Sequence, residues 1–136
     1  TMLLHSNLGE AHHAIGRPEE AMAHLVRALN VAQPLADEGR EVAQILATMG
    51  SVYLDLDDPT AAAGSGERAL RLARRAGDRA MEAAALEVLG RAHAAAGDPA
   101  RAIESLDLAL AGYESIGQGH ADRVRPLLRR LRSTAP

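Results

Sequence analysis

Leu89-Gly90-Arg91-Ala92-His93, then Gly97-Asp98-Pro99, then Ala102, Leu106 and Ala109-Leu110 is the phrase on which the fold turns. It stands twice more upstream. Leu8-Gly9 and His12 lead to Gly16-Arg17-Pro18 and on to Ala21, Leu25 and Ala28-Leu29. Met49-Gly50 and Tyr53 lead to Asp57-Asp58-Pro59 and on to Ala62, Gly66 and Ala69-Leu70. Gly9 precedes Gly50 by 41 residues, and Gly50 precedes Gly90 by 40. Self-similarity at a period of roughly 20–50 residues marks an array in which each unit buries its apolar face only against its neighbours.

The phrase itself is helical. Proline is favoured in the first turn of a helix, where its missing N–H would have no partner anyway, so Pro18, Pro59 and Pro99 each open a second helix. Asp58 and Asp98 stand just before two of them, where a carboxylate can cap free backbone N–H groups. Asp37-Glu38-Gly39, Gly77-Asp78 and Gly117-Gln118-Gly119 interrupt the chain after each second helix. The punctuation predicts helices at about 2–15, 18–36, 40–56, 59–76, 79–96 and 99–116, and a seventh at about 120–132 covering the open end of the array.

Composition agrees. About a fifth of the chain is Ala, and Ala and Leu are the best helix formers. Aromatics make up 1%, so the core must be close-packed Ala and Leu rather than rings. Gly9, Gly50 and Gly90, and across from them Ala21, Ala62 and Ala102, then mark where paired helices approach, since larger residues would push the axes beyond the usual separation of about 8–10 Å. Gly66 departs from its counterparts Leu25 and Leu106. Two readings stand for Gly64-Ser65-Gly66: close helix approach or drift in a tolerant repeat, or a soft point where the array flexes or a partner helix docks.

On these residues the chain resembles the tetratricopeptide (TPR) family, whose signature W-x2-L-G-x2-Y…A-x3-F…P spans about 34 residues. The resemblance runs from about Met2 to Ile116. His5, Leu46 and Leu86 stand where the family favours Trp, His12 and His93 replace its Tyr, the closing Pro is missing at its usual place, and the longer period lengthens each second helix. The resemblance implies an all-α, right-handed α-solenoid of three antiparallel helix pairs, at about 2–39, 40–78 and 79–118, with a C-terminal capping helix. The whole is a single domain. Thr1 already stands in helical pattern without an initiator Met, which leads us to expect a piece of a longer protein.

Such arrays bind on the concave surface lined by the first helix of each pair, and TPR proteins commonly hold extended or helical peptides there. The expected groove residues are Ser6, Glu10 and His13 from the first pair, Ala47, Ser51 and Asp55 from the second, and Glu87 and Arg91 from the third. The surface is small-residue, polar and mixed in charge. The family's chaperone-tail clamp needs Lys and Asn on these faces. Here only Arg91 suits a carboxylate, and Glu87 one turn away can neutralise it.

Other chemistries find little support. His5, His12, His13 and His24 suggest a metal, yet His5 and His12 lie two turns apart, no H-E-x-x-H occurs and Cys is absent. Asp55, Asp57 and Asp58 form an acidic turn in which Asp58 reads as a cap. No Ser has a nucleophile context and Gly64-Ser65-Gly66 lies within a helix rather than after a strand. We therefore expect no enzyme activity, no cofactor and no metal. The net charge of -3 gives no overall attraction to nucleic acid. The basic tail (Arg123, Arg125, Arg129, Arg130, Arg132) lacks stacking aromatics, and with Leu127, Leu128 and Leu131 it reads as a solvated capping helix rather than a nucleic-acid site. No apolar run approaches the roughly 20 residues of a membrane span and there is no signal peptide, so a cytoplasmic setting without membrane contact is expected.

The wording of residues 72–83 (Leu-Ala-Arg-Arg-Ala-Gly-Asp-Arg-Ala-Met-Glu-Ala) and of Tyr113-Glu114-Ser115-Ile116-Gly117 is similar to long-period arrays in actinobacterial regulators, notably the large antibiotic-regulatory (SARP-type) activators and, next, the large LuxR-type regulators. That resemblance implies a sensor or relay domain whose partner is a protein, a peptide or another domain of the same chain. The alternative is a general interaction scaffold, or a module that self-associates as a homodimer through an uncovered first helix pair.

Overall fold

The computed structural model describes residues 9–10, 16–32, 39–117 and 119–134. They form six helices: α1 (Pro18–Ala32), α2 (Gly39–Asp55), α3 (Pro59–Ala76), α4 (Arg79–Ala95), α5 (Pro99–Ser115) and α6 (Ala121–Thr134). No strand occurs among the described residues. Gly9 and Glu10 are helical, and the rest of the helix expected at 2–15 lies outside the described residues, as does the 33–36 end of the second. The other boundaries fall within a residue or two of those read from the sequence.

Local chemistry fixes these boundaries. The Asp58, Asp78 and Asp98 carboxylates accept the N–H groups of Ala61, Met81 and Arg101 at 3.1, 3.0 and 3.2 Å. Asp58 and Asp98 are the expected caps, and Asp78 adds one where the sequence showed only an interruption. Gly77 ends α3 in the left-handed region at φ 66°, its N–H turned back to the carbonyls of Ala73 and Arg74. Asp57 holds φ 60°, the conformation that Gly16 and Gly97 adopt at the same repeat position.

Each helix packs against the next, and α2 also touches α4. Turns of two or three residues between α2, α3, α4 and α5 set neighbours antiparallel. The result is the TPR-like helical solenoid, with first helices side by side on one face. The core falls into two clusters, one around α1, α2 and the Ala-rich face of α3, the other joining α4, α5 and α6. Ala21, Ala62 and Ala102 are fully buried at the crossings, as expected. No described helix is long and apolar enough to cross a membrane.

The close approaches resolve the Gly66 anomaly. A Cβ on Gly9 would lie 2.6 Å from Leu25 Cγ, and one on Gly90 would lie 2.4 Å from Leu106 Cγ, so in both places the second-helix leucine sits on the first-helix glycine. In the middle pair that leucine is Gly66. The space over Gly50 is taken instead by Val88 of α4, whose Cγ1 would be 2.5 Å from a Gly50 Cβ and 3.3 Å from a Gly66 Cβ, with Leu89 Cγ 3.1 Å from the latter. Gly66 is thus a packed approach between α3 and α4. Gly64 has open space around its Cα and is exposed.

Candidate functional site

A groove of about 530 Å³ runs between the first helices. Side chains three and four residues apart share one helix face, which brings Gln44, Ala47, Thr48, Ser51, Leu54 and Asp55 of α2 to one wall. Ala84, Glu87, Val88 and Arg91 of α4 form the other by the same period, and Glu10 closes the near end. Of the residues expected to line it, Glu10, Ala47, Ser51, Asp55, Glu87 and Arg91 lie together along this one groove. Ser6 and His13 lie outside the described residues. The walls are shallow because α2 and α4 present Ala47 and Ala84 and because the Thr48 and Ser51 hydroxyls fold back onto the carbonyls of Gln44 and Ala47.

Two further residues reach the groove from elements outside its walls. Tyr113 of α5 and Arg123 of α6 both converge on Glu87. The Tyr113 hydroxyl donates to Glu87 Oε1 at 2.8 Å. Arg123 donates Nε to Oε2 at 2.9 Å and Nη2 to Oε1 at 2.8 Å, a bidentate pair. Arg91 adds its Nε to Oε2 at 3.0 Å, the expected i,i+4 pair. Arg123 Nη1 lies 2.7 Å from His120 Nδ1, and the His120 ring is tilted against Tyr113 with centroids 5.2 Å apart.

Glu87 is 7% exposed, so it is a buried charge rather than a groove-surface one. Burial alone would raise its pKa. The hydrogen bonds from Arg123 and Tyr113, and the charges of Arg123 and Arg91, outweigh that and hold the carboxylate below its ordinary value. Burial, with the adjacent Glu87 charge, pushes the Tyr113 hydroxyl well above its usual range. The bond to Glu87 raises Arg123. Glu87 therefore stays a carboxylate, Tyr113 a neutral phenol and Arg123 a guanidinium across the physiological range.

The arginines of the tail are exposed, as their sequence implies, and three of them also bond neighbouring groups. Arg123 is engaged as above, Arg125 bonds Asp122 at 2.7 Å and Glu114 at 2.9 Å, and Arg132 pairs with Asp107. Arg129 and Arg130 are exposed on the face opposite buried Val124 and Leu128. Among the described residues no three His, Asp or Glu side chains converge as a metal site would need.

Residues 1–75 and 41–115 match the tetratricopeptide repeat family. No curated protein sequence matches the chain. Among solved structures it is similar to one described as the crystal structure of the apo form of RapI, with a TM-score of 0.90 at 12% identity. The likeness covers 97% of this chain and 48% of that one, so the chain spans about half of that protein's length. At such identity the likeness concerns the fold alone.

Proposed function

This chain belongs to the tetratricopeptide repeat family, and from that premise we propose that its groove binds a protein or peptide segment and that the chain acts by binding rather than catalysis. One observation carries this reading. Six residues that the helical period places on first helices line a single groove in which Ala47, Thr48, Ser51 and Ala84 are small, leaving room for a partner's side chains. Repeat arrays use their concave surface in this way, and peptide recognition by a groove draws on side-chain pockets along such a face.

The test is site-specific photo-crosslinking in the source cell. A photoreactive residue at Ser51, inside the groove, should trap partner protein, and one at Arg71, exposed on α3, should not. Trapping at Arg71 with none at Ser51 would place the partner on the other face and end this reading.

A finer reading rests on the wording of residues 72–83 and 113–117. In it the chain is the sensing or relay domain of a larger transcriptional regulator, and the partner is another domain of the same protein. The general scaffold is supported equally by the family. The Ser51 crosslink separates them, since an intramolecular product supports relay and an intermolecular one supports a scaffold.

A further inference from the structure

The groove is polarised. Among the described lining residues, every positive charge comes from its α4 and α6 side, as Arg91 and Arg123, and the α2 side with Glu10 carries only negative charge, as Glu10 and Asp55. The gradient follows from the repeat. Glu10, Ser51 and Arg91 occupy one position, the residue after the signature glycine, in successive units, so a single row across the array runs from anion through neutral hydroxyl to cation.

The cationic end is built to receive an anion. Two guanidiniums share the single Glu87 carboxylate, leaving one net positive charge there. Arg91 commits only its Nε to Glu87, and its two terminal nitrogens make no hydrogen bond among the described residues. Glu87 thus holds Arg91 side-on and leaves the end-on fork toward the groove, the geometry a carboxylate accepts as a bidentate partner. Side-chain exposures of 37% for Arg91 and 49% for Arg123 keep both within a ligand's reach. At the other end Glu10 is exposed, with one long contact, 3.4 Å, from Gln44 Nε2.

We infer that the groove takes a dipolar peptide segment, with an acidic side chain seated on the Arg91 fork and a basic side chain directed to the Glu10 end. This rests on the groove being a peptide site, and it adds the chemistry and direction of the occupant. Charge complementarity at two separated points fixes orientation as well as affinity.

A random dodecapeptide phage library panned on the 136-residue chain, with counter-selection on a Ser51→Arg variant whose groove is obstructed, tests it. The enriched peptides should carry one acidic and one basic residue at a fixed separation. Changing the peptide's acid to Gln, or Arg91 to Gln, should weaken binding at least tenfold by fluorescence anisotropy. An Arg91→Glu variant should regain affinity for the peptide whose acid is replaced by Lys. Because Arg91→Glu also faces Glu87, the same swap is made at the exposed end, pairing Glu10→Lys with a peptide whose base is replaced by Glu. Peptides that need an open groove but bind alike with or without their charges would overturn the dipolar reading and leave the peptide site standing. Enrichment that ignores Ser51→Arg, or no enrichment at all, would overturn both.

Discussion

Glu87 and Arg123 tie α6 to α4, and a double-mutant cycle on them has a calculable outcome. Exposed ion pairs contribute about 0.2–1 kcal/mol, and breaking a fully buried pair costs about 3–5 kcal/mol. Here the Glu87 side chain is 9% exposed and Arg123 is 49% exposed, with two bonds of 2.8 and 2.9 Å. The pair falls between the limits, which gives a coupling of about 1.5–2.5 kcal/mol after discounting the solvent-screened guanidinium. Arg123→Gln should cost about 2 kcal/mol, because Glu87 then keeps its burial with Tyr113 and Arg91 alone. Glu87→Gln should cost about 1–2 kcal/mol, because the freed guanidinium can turn to water. The double variant should lose clearly less than the sum, read as midpoint shifts in urea unfolding followed by circular dichroism. The sign with pH is set by the lowered Glu87 pKa. Its contribution is complete above the ordinary carboxylate value of 4.5 and is lost as pH falls through the lower folded value. The gap between wild type and Glu87→Gln should therefore close on acidification below that value. A coupling under about 0.5 kcal/mol, or one abolished by 1 M salt as for exposed charges, would refute the view that Glu87 is a buried node.

Three further outcomes follow from the glycines and the turns. Gly64→Ala should raise stability by up to about 1 kcal/mol, since the helix gains propensity and the new methyl meets nothing within 4 Å, which a midpoint shift in urea would register. Gly90→Ala should lower it by about 1–2 kcal/mol in the same assay, because overpacking against Leu106 Cγ exceeds the propensity gain. Asp57→Gly should stabilise by about 0.5–1 kcal/mol in thermal melts, since a side chain at φ 60° carries a steric cost that glycine lacks.

The fold was legible because the chain states it three times. Pro59, Pro99 and the Asp before each mark helix starts through local chemistry that needs no tertiary partner. The groove walls were legible for a similar reason, since a helical period of about 3.6 residues places Ala47, Ser51 and Asp55 on one face wherever the helix lies. That same period extended one turn back would have added Gln44 and Thr48. Tyr113 and Arg123 were not legible as groove residues. They bond Glu87 across 26 and 36 positions, and no local pattern ties a second-helix tyrosine or a tail arginine to a first-helix carboxylate. The ion pairs of the exposed basic tail were hidden for the same reason, because its acidic partners Asp107 and Glu114 belong to the preceding helix and meet it only through packing. Gly66 stayed ambiguous because its explanation, Val88, belongs to the next unit.

That last contact makes the array a sentence rather than a string of beads. Val88 and Leu89 fill a place that the preceding unit leaves open at Gly66. Duplicating residues 39–78 in tandem would present Thr48 and Met49 there instead, setting a hydroxyl where a methyl belongs. Giving the middle unit the Leu25 of the first would drive that side chain into Val88. The second and third units are therefore matched to each other, and at this joint the array cannot be lengthened, shortened or reordered by exchanging whole units without a compensating change across the seam.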